Sequence, residues 1–287
     1  MKLEKNVKGI LIPIGGSEDK GEKSNTRISF REKGVLRHVL NEAKGVESKV
    51  VVIPTASRIP DEVGQNYISA FKKLGCENVI VLPISRKNHS ENQDFIRHVR
   101  DADCILFTGG NQSRIETKIR NSSLHRIVMD RFENEPLVVA GTSAGAMAMA
   151  SEMIAGGTSS GALLKGAVKM RSGLGLFPDV IIDTHFIKRG RFGRLFEALA
   201  RFPDKVGIGL ADDTGLIIKN LNEGQVIGSG MVLLMDPSGL THNSYDLLKT
   251  NMPVSVAGMK VHILANGDRI KLDTREIAVL PMTESFV

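Results

Sequence analysis

Ser143 stands between two glycines in "GTSAGAM", directly after the apolar run 136–140. A strand that reverses into a helix within three residues needs positions free of a Cβ, and Gly141 and Gly145 supply them. On such a turn a serine hydroxyl is lifted clear of the sheet at the positive end of the following helix. The backbone N–H of Ala144 points at the same spot, where a tetrahedral oxyanion could be held. That is nucleophile chemistry, but a turn of small residues has the same look, so the rest of the chain must decide.

A serine nucleophile needs a base, and the chain has seven histidines. His38, His98 and His125 lie in amphipathic helical stretches, His89 and His242 in polar loops, and His262 in a late strand. His185 differs because it ends the apolar run "VIIDTH", with Asp183 two residues before it and Arg189, Arg191 and Arg194 after it. The orienting acid is open between Asp183, which shares a strand face with His185, and the acids of "GLADDTG", Asp212 and Asp213. The chain order Ser, His, Asp departs from the Ser, Asp, His order of α/β-hydrolases. In "FTGGNQ" the Gly110 N–H can complete an oxyanion hole with Ala144, and Gln112 can orient a substrate amide. A second glycine pair, Gly15–Gly16, is followed by Ser17, Glu18 and Asp19, which read equally well as a capped turn.

These residues need elements to bring them together. The first half alternates short β-rich runs ("GILIPIGG", "KVVVIPTAS", "NVIVLPI", "CILFTGG", "LVVAGTSAG") with amphipathic stretches. This predicts an α/β protein, a largely parallel sheet with helices on both faces. Both glycine pairs and Ser143 then open at the carboxyl edge of one sheet, where ligands bind in such folds. After Gly156 the runs read as mostly β with close turns, a β-rich C-terminal extension of the sheet. No linker, repeat or low-complexity segment interrupts residues 1–287, so a single domain is expected.

Composition narrows the class. Hydrophobic content of 41% and charged content of 24% are those of a soluble globular protein, and no apolar run approaches the ~20 residues of a membrane span. The apolar stretch near the start is too short for a signal-peptide core, so the chain reads as cytoplasmic. Cys76 and Cys104 cannot supply a zinc cage or a disulfide framework, and His185 has no second histidine at ligand spacing, so neither metal nor cofactor is expected. The net charge of +6 is spread along the chain, with 11 Phe, 2 Tyr and no Trp, and no nucleic-acid signature accompanies it.

Taken together, "IGGSEDK", "FTGGNQSRI", "GTSAGAMAM", "IDTHFIKRGRFGRL", "GIGLADDTGLII", "VIGSGMV" and "VHILANGDR" resemble the cyanophycinases, in the serine-peptidase group that includes aspartyl dipeptidase (dipeptidase E). The "GTSAGA" box is shared by the wider group, whereas "DTHFxxRGRxGRL" points to cyanophycinases. The resemblance implies a fold similar to class I glutamine amidotransferases, with serine in place of their cysteine, and a homodimer. It implies cleavage of cyanophycin, a poly-aspartate backbone carrying arginine on its β-carboxylates, to β-aspartyl-arginine dipeptides. By position, Ser143 matches the nucleophile, His185 the base and Asp212 the triad acid, commonly a glutamate in a D-E pair where this chain has Ala211–Asp212. Gln112, Asp183, Arg189, Arg191 and Arg194 match residues implicated in substrate binding or activity. The arginines then fit a substrate with aspartyl carboxylates, and Asp183, if not the orienter, fits its guanidinium. An aspartyl or isoaspartyl dipeptidase and an inactive cyanophycin-binding homologue are the competing readings.

Overall fold

The structure, a computed structural model, describes residues 7–22 and 28–280. Through the first half, strands β1 (Ile10–Ile14), β2 (Val50–Ile53), β3 (Val79–Val81), β4 (Cys104–Phe107) and β5 (Val138–Thr142) alternate with helices. The helices are α1 (Phe30–Lys33), α2 (Val35–Glu42), α3 (Pro60–Lys73), α4 (Gln93–Asp101), α5 (Gln112–Ile119), α6 (Ser123–Asn134) and α7 (Ala144–Met147). The hairpin β6 (Glu152–Gly156) and β7 (Lys169–Ser172) follows, then β8 (Val180–Thr184), α8 (Phe192–Arg201) and β9 (Val206–Leu210). The remainder is β10 (Thr214–Lys219), β11 (Glu223–Gly228), β12 (Met231–Asp236), β13 (His242–Asn243), β14 (Val256–Ala257), β15 (Lys260–Ala265), β16 (Arg269–Lys271) and β17 (Glu276–Ala278), with short 3-10 turns between.

Nine strands form the main sheet, in the order β17-β16-β11-β10-β1-β5-β4-β2-β3. The half from β1 to β3 is parallel. Its inner strands β2, β4 and β5 are short apolar runs such as "VVVI" and "CILF", buried at every position, as strands covered on both faces must be. Successive residues serve opposite faces. Leu11, Val51, Ile105 and Val139 pack with α4, α5 and α6, while Ile12, Val52, Leu106 and Ala140 pack with α2 and α3. The helices carry ordinary end signals: Pro60 opens α3 with Asp61 and Glu62 in its first turn, and the Asn92 side chain caps α4.

The other half of the sheet departs from the parallel expectation, since β10, β11, β16 and β17 all pair antiparallel. The link between β10 and β11 is too short for a crossover, and Asn220 and Leu221 take φ of 54° each to close it as a hairpin. A second, four-stranded sheet, β15-β12-β9-β8, packs its apolar side into the core on the α4–α6 face. The strand carrying "VIIDT" thus belongs to this second sheet, and it meets the carboxyl edge of the first from outside.

Candidate active site

Ser143 follows β5 and caps the amino end of α7 with φ 51° and ψ −111°. This is a sparsely populated conformation for a residue with a Cβ, costing on the order of 1–3 kcal/mol, and it persists only where the surroundings hold it. The turn is tight enough that a Cβ on Gly145 would lie 2.1 Å from the Phe107 carbonyl oxygen, which accounts for the second glycine of "GTSAG".

Three consecutive carbonyls at the end of β1 gather the facing segments. Ser143 N–H donates to Ile14 O at 2.9 Å, His185 N–H to Gly15 O at 3.0 Å and Asp213 N–H to Gly16 O at 2.8 Å. His185 takes φ 49°, which turns its ring back from the end of β8 toward Ser143. Ser143 Oγ lies 2.9 Å from His185 Nε2, and His185 Nδ1 lies 2.5 Å from Asp212 Oδ1. A Cβ on Gly16 would stand 2.4 Å from His185 Cε1, so only glycine leaves the ring its place. The shorter aspartate at position 212 reaches the histidine, and the Lys188 ammonium stands 3.5 Å from its other oxygen. Burial pushes the His185 imidazole below its ordinary value; the Asp212 hydrogen bond pulls it up, and the nearby Arg189 and Arg191 charges push it down again. The net result is a neutral ring at neutral pH, able to accept a proton at Nε2.

Ser143 opens onto a cleft of about 300 Å³ that is also lined by Gly110, Ala144, Gln112, Arg189, Arg191 and Arg194. Ala144 heads α7, where an N–H has no intrahelical acceptor. The Gly110 N–H has no backbone acceptor among the described residues. Both residues line the cleft with Ser143. Gln112 donates its amide to Ile154 O at 2.6 Å, which leaves its side-chain carbonyl to accept from a ligand.

The three arginines are not equivalent. Arg194 is buried and grips Asp183 through Nε (3.0 Å) and Nη2 (2.7 Å), with Nη1 on Gly157 O at 3.0 Å. Arg191 donates to Asp183 Oδ1 at 2.9 Å and to Thr184 O at 2.8 Å. Asp183 is fully buried, and its oxygens also accept from the Thr184 N–H. It therefore neither orients His185 nor faces a substrate guanidinium, contrary to two of the roles expected for it. The strand does alternate as expected, but the turn at His185 carries the ring away from Asp183 and toward Asp212. Arg189 is exposed, and among the described residues its guanidinium has no ion-pair partner.

Sequence reasoning named Glu18 after the glycine pair but gave it no role of its own. It is buried beside the turn, accepting from Thr142 Oγ1 at 2.6 Å and from the Tyr67 hydroxyl, with Lys20 Nζ at 2.9 Å. The available signal was a carboxylate just after a glycine pair at the same sheet edge as Ser143.

Residues 14–225, which include every residue of this site, match peptidase family S51. The chain is 35% identical over 277 residues to the cyanophycinase of Trichormus variabilis, covering 96% of this chain and 90% of that one. It is 31% identical over 274 residues to the cyanophycinase of Geminocystis herdmanii, covering 96% and 97%. The crystal structure of a peptidase from an acI-B1 Actinobacterium superposes with a TM-score of 0.62 at 19% identity, over 90% of this chain and 98% of that one, a likeness of fold. Among the described residues no helix is long and apolar enough to cross a membrane, and no group of three or more His, Cys, Asp or Glu side chains could hold a metal ion.

Proposed function

Because the chain belongs to peptidase family S51, we propose that it is a serine exopeptidase that hydrolyses cyanophycin to β-aspartyl-arginine dipeptides. The observation that carries this reading is the hydrogen-bonded series Ser143–His185–Asp212 at the mouth of an arginine-lined cleft.

In this reading His185 Nε2 takes the hydroxyl proton as Ser143 Oγ attacks the scissile aspartyl carbonyl. The resulting oxyanion accepts from the Gly110 and Ala144 N–H groups. The same proton passes from His185 to the leaving amine, and the C–N bond breaks to leave an acyl-enzyme on Ser143. Water, deprotonated by His185, then attacks the ester and frees the serine. Asp212 keeps Nδ1 protonated and Nε2 facing Ser143, and balances the transient imidazolium. No step calls for a metal or a cofactor.

The cleft favours an acidic peptide. Three arginines line it and no carboxylate does, and Arg191 and Arg194 share the one buried carboxylate of Asp183, which leaves an excess of positive charge. Arg189, with no ion-pair partner among the described residues, is placed to fork a substrate carboxylate, and Gln112 to accept from a substrate amide. We take residues 1–287 to act as one peptidase domain with a class I glutamine amidotransferase-like fold and a β-rich C-terminal part. Its setting is the cytoplasm and its assembly a homodimer, as the sequence and the family resemblance suggest; sedimentation of the purified protein tests the dimer.

The deciding experiment is incubation with purified cyanophycin and mass spectrometry of the products. Release of β-aspartyl-arginine supports the proposal. Cleavage of free aspartyl or isoaspartyl dipeptides with the polymer untouched would make the protein a dipeptidase. Binding of the polymer without turnover would make it an inactive homologue.

A further inference from the structure

Glu18 is 4% exposed, and a carboxylate so placed needs partners for its charge. Burial works against ionisation here, yet the Lys20 ammonium and the hydroxyls of Thr142 and Tyr67 outweigh it and hold the carboxyl below its usual value. Tyr67 responds in the opposite sense: burial and the adjacent Glu18 charge push its phenol well up, so it stays a proton donor. An ionised carboxylate only accepts, so both hydroxyls must point their protons at it and neither side chain is free to rotate.

Thr142 is the last residue of β5, paired with Ile14 of β1 and followed at once by Ser143. Besides the Met147 N–H bond to Ser143 O, two contacts fix the entry to the strained turn. One is the Ser143 N–H bond to Ile14 O, a main-chain contact that any residue type would make. The other is the Thr142 hydroxyl on Glu18 Oε2, which depends on two particular side chains. Glu18 does not line the cleft and touches none of the groups placed there for chemistry.

We propose that Glu18 is a positioning residue whose buried carboxylate, by gripping the Thr142 hydroxyl, holds the Ser143 turn in the geometry that brings Oγ to His185. The proposal rests on Ser143 being the nucleophile.

The test compares Thr142→Val, which keeps the shape and removes the hydroxyl, with Thr142→Ser, which keeps the hydroxyl, and with Glu18→Gln. Each is measured for kcat and KM on cyanophycin and for the rate at which a fluorophosphonate probe labels Ser143. Misplacing a nucleophile without touching the binding groups lowers kcat and the labelling rate together, by roughly 10–100-fold, and leaves KM in place. Thr142→Val and Glu18→Gln are expected to show this, and Thr142→Ser to retain most of the activity. Because the two groups act through one contact, the Thr142→Val/Glu18→Gln double variant is expected to be no slower than the slower single variant. A folded Thr142→Val protein with wild-type kcat and labelling rate, or a Thr142→Ser protein as slow as Thr142→Val, overturns the proposal. If Thr142→Val does not fold, Tyr67→Phe decides, since it removes the other hydroxyl donor to Glu18: a slowed labelling rate supports the proposal and a wild-type rate overturns it. Absence of label on Ser143 in the wild type overturns the functional reading and this proposal with it. Equal labelling of the wild type and Thr142→Val overturns this proposal alone.

Discussion

Asp183 and Arg194 meet side-on inside the protein, carboxylate to guanidinium, through two parallel bonds of 2.7 and 3.0 Å. The carboxylate is fully buried and the arginine nearly so. Asp183→Asn leaves the buried Arg194 and the partly buried Arg191 sharing a neutral amide. Breaking a buried pair in this way costs about 3–5 kcal/mol. The melting temperature should fall by roughly 5–8 °C, and KM should rise as Arg191 and Arg194 lose their anchor. Calorimetry beside steady-state kinetics checks both; a variant with unchanged melting would mean that the pair is not held as described.

Ser143→Ala should leave the melting temperature in place, since alanine meets the same backbone restriction at φ 51°. Cyanophycin turnover should fall by at least ~10³-fold, as for other serine nucleophiles removed from a triad. A tenth of the wild-type rate remaining would show that the nucleophile lies elsewhere.

The pH profile carries a signed expectation. His185 must be neutral to accept the serine proton, and its value in the protein lies below the ordinary imidazole value. Activity should therefore persist through mildly acidic pH and be lost only as pH falls through that lowered value. Asp212→Asn removes two influences that raise the imidazole, its hydrogen bond and its charge. The acidic limb of kcat/KM should then move to still lower pH, while kcat drops by up to ~10⁴-fold because an amide favours the wrong tautomer. A limb that moves upward, or a near-normal kcat, would remove Asp212 from the mechanism.

Arg189→Ala should act on binding. Losing a charge-assisted hydrogen bond is worth about 1.5–3 kcal/mol, so KM for cyanophycin should rise by roughly 10-fold or more with kcat little changed. Since Arg189 has no ion-pair partner to abandon among the described residues, its loss should leave thermal stability alone, unlike Asp183→Asn. Equal KM values for variant and wild type would leave substrate carboxylates to the other two arginines.

Much of the site was legible because its parts sit at strand ends marked by glycine. Gly109–Gly110, "GTSAG" and the "VIIDTH" terminus are local signals, and each falls where a continuous apolar run stops. Partnership was not legible. Asp183 and Asp212 stand equally well placed along the chain, and only the positive φ at His185 turns the ring from one to the other. Glu18 was named only as part of a turn because its partners, Tyr67 and Thr142, belong to a distant helix and a distant strand. The second sheet was missed for a related reason: strand runs reveal that strands exist, whereas β8 to β9 and β9 to β12 pairing is decided by long-range packing.

The carbonyl row Ile14–Gly15–Gly16 has a bearing on when this protein becomes active. The segments it gathers arrive far along the chain; the adjoining Asp19–Asp213 contact joins residues 194 positions apart. Contacts of such separation close late, after the entropy of a long loop has been overcome. A nascent chain that has made the serine turn but not yet the stretch through Asp213 lacks the contacts that hold His185 and Asp212 beside Ser143. On the mechanism proposed above, the site is complete only once that stretch has folded against the end of β1.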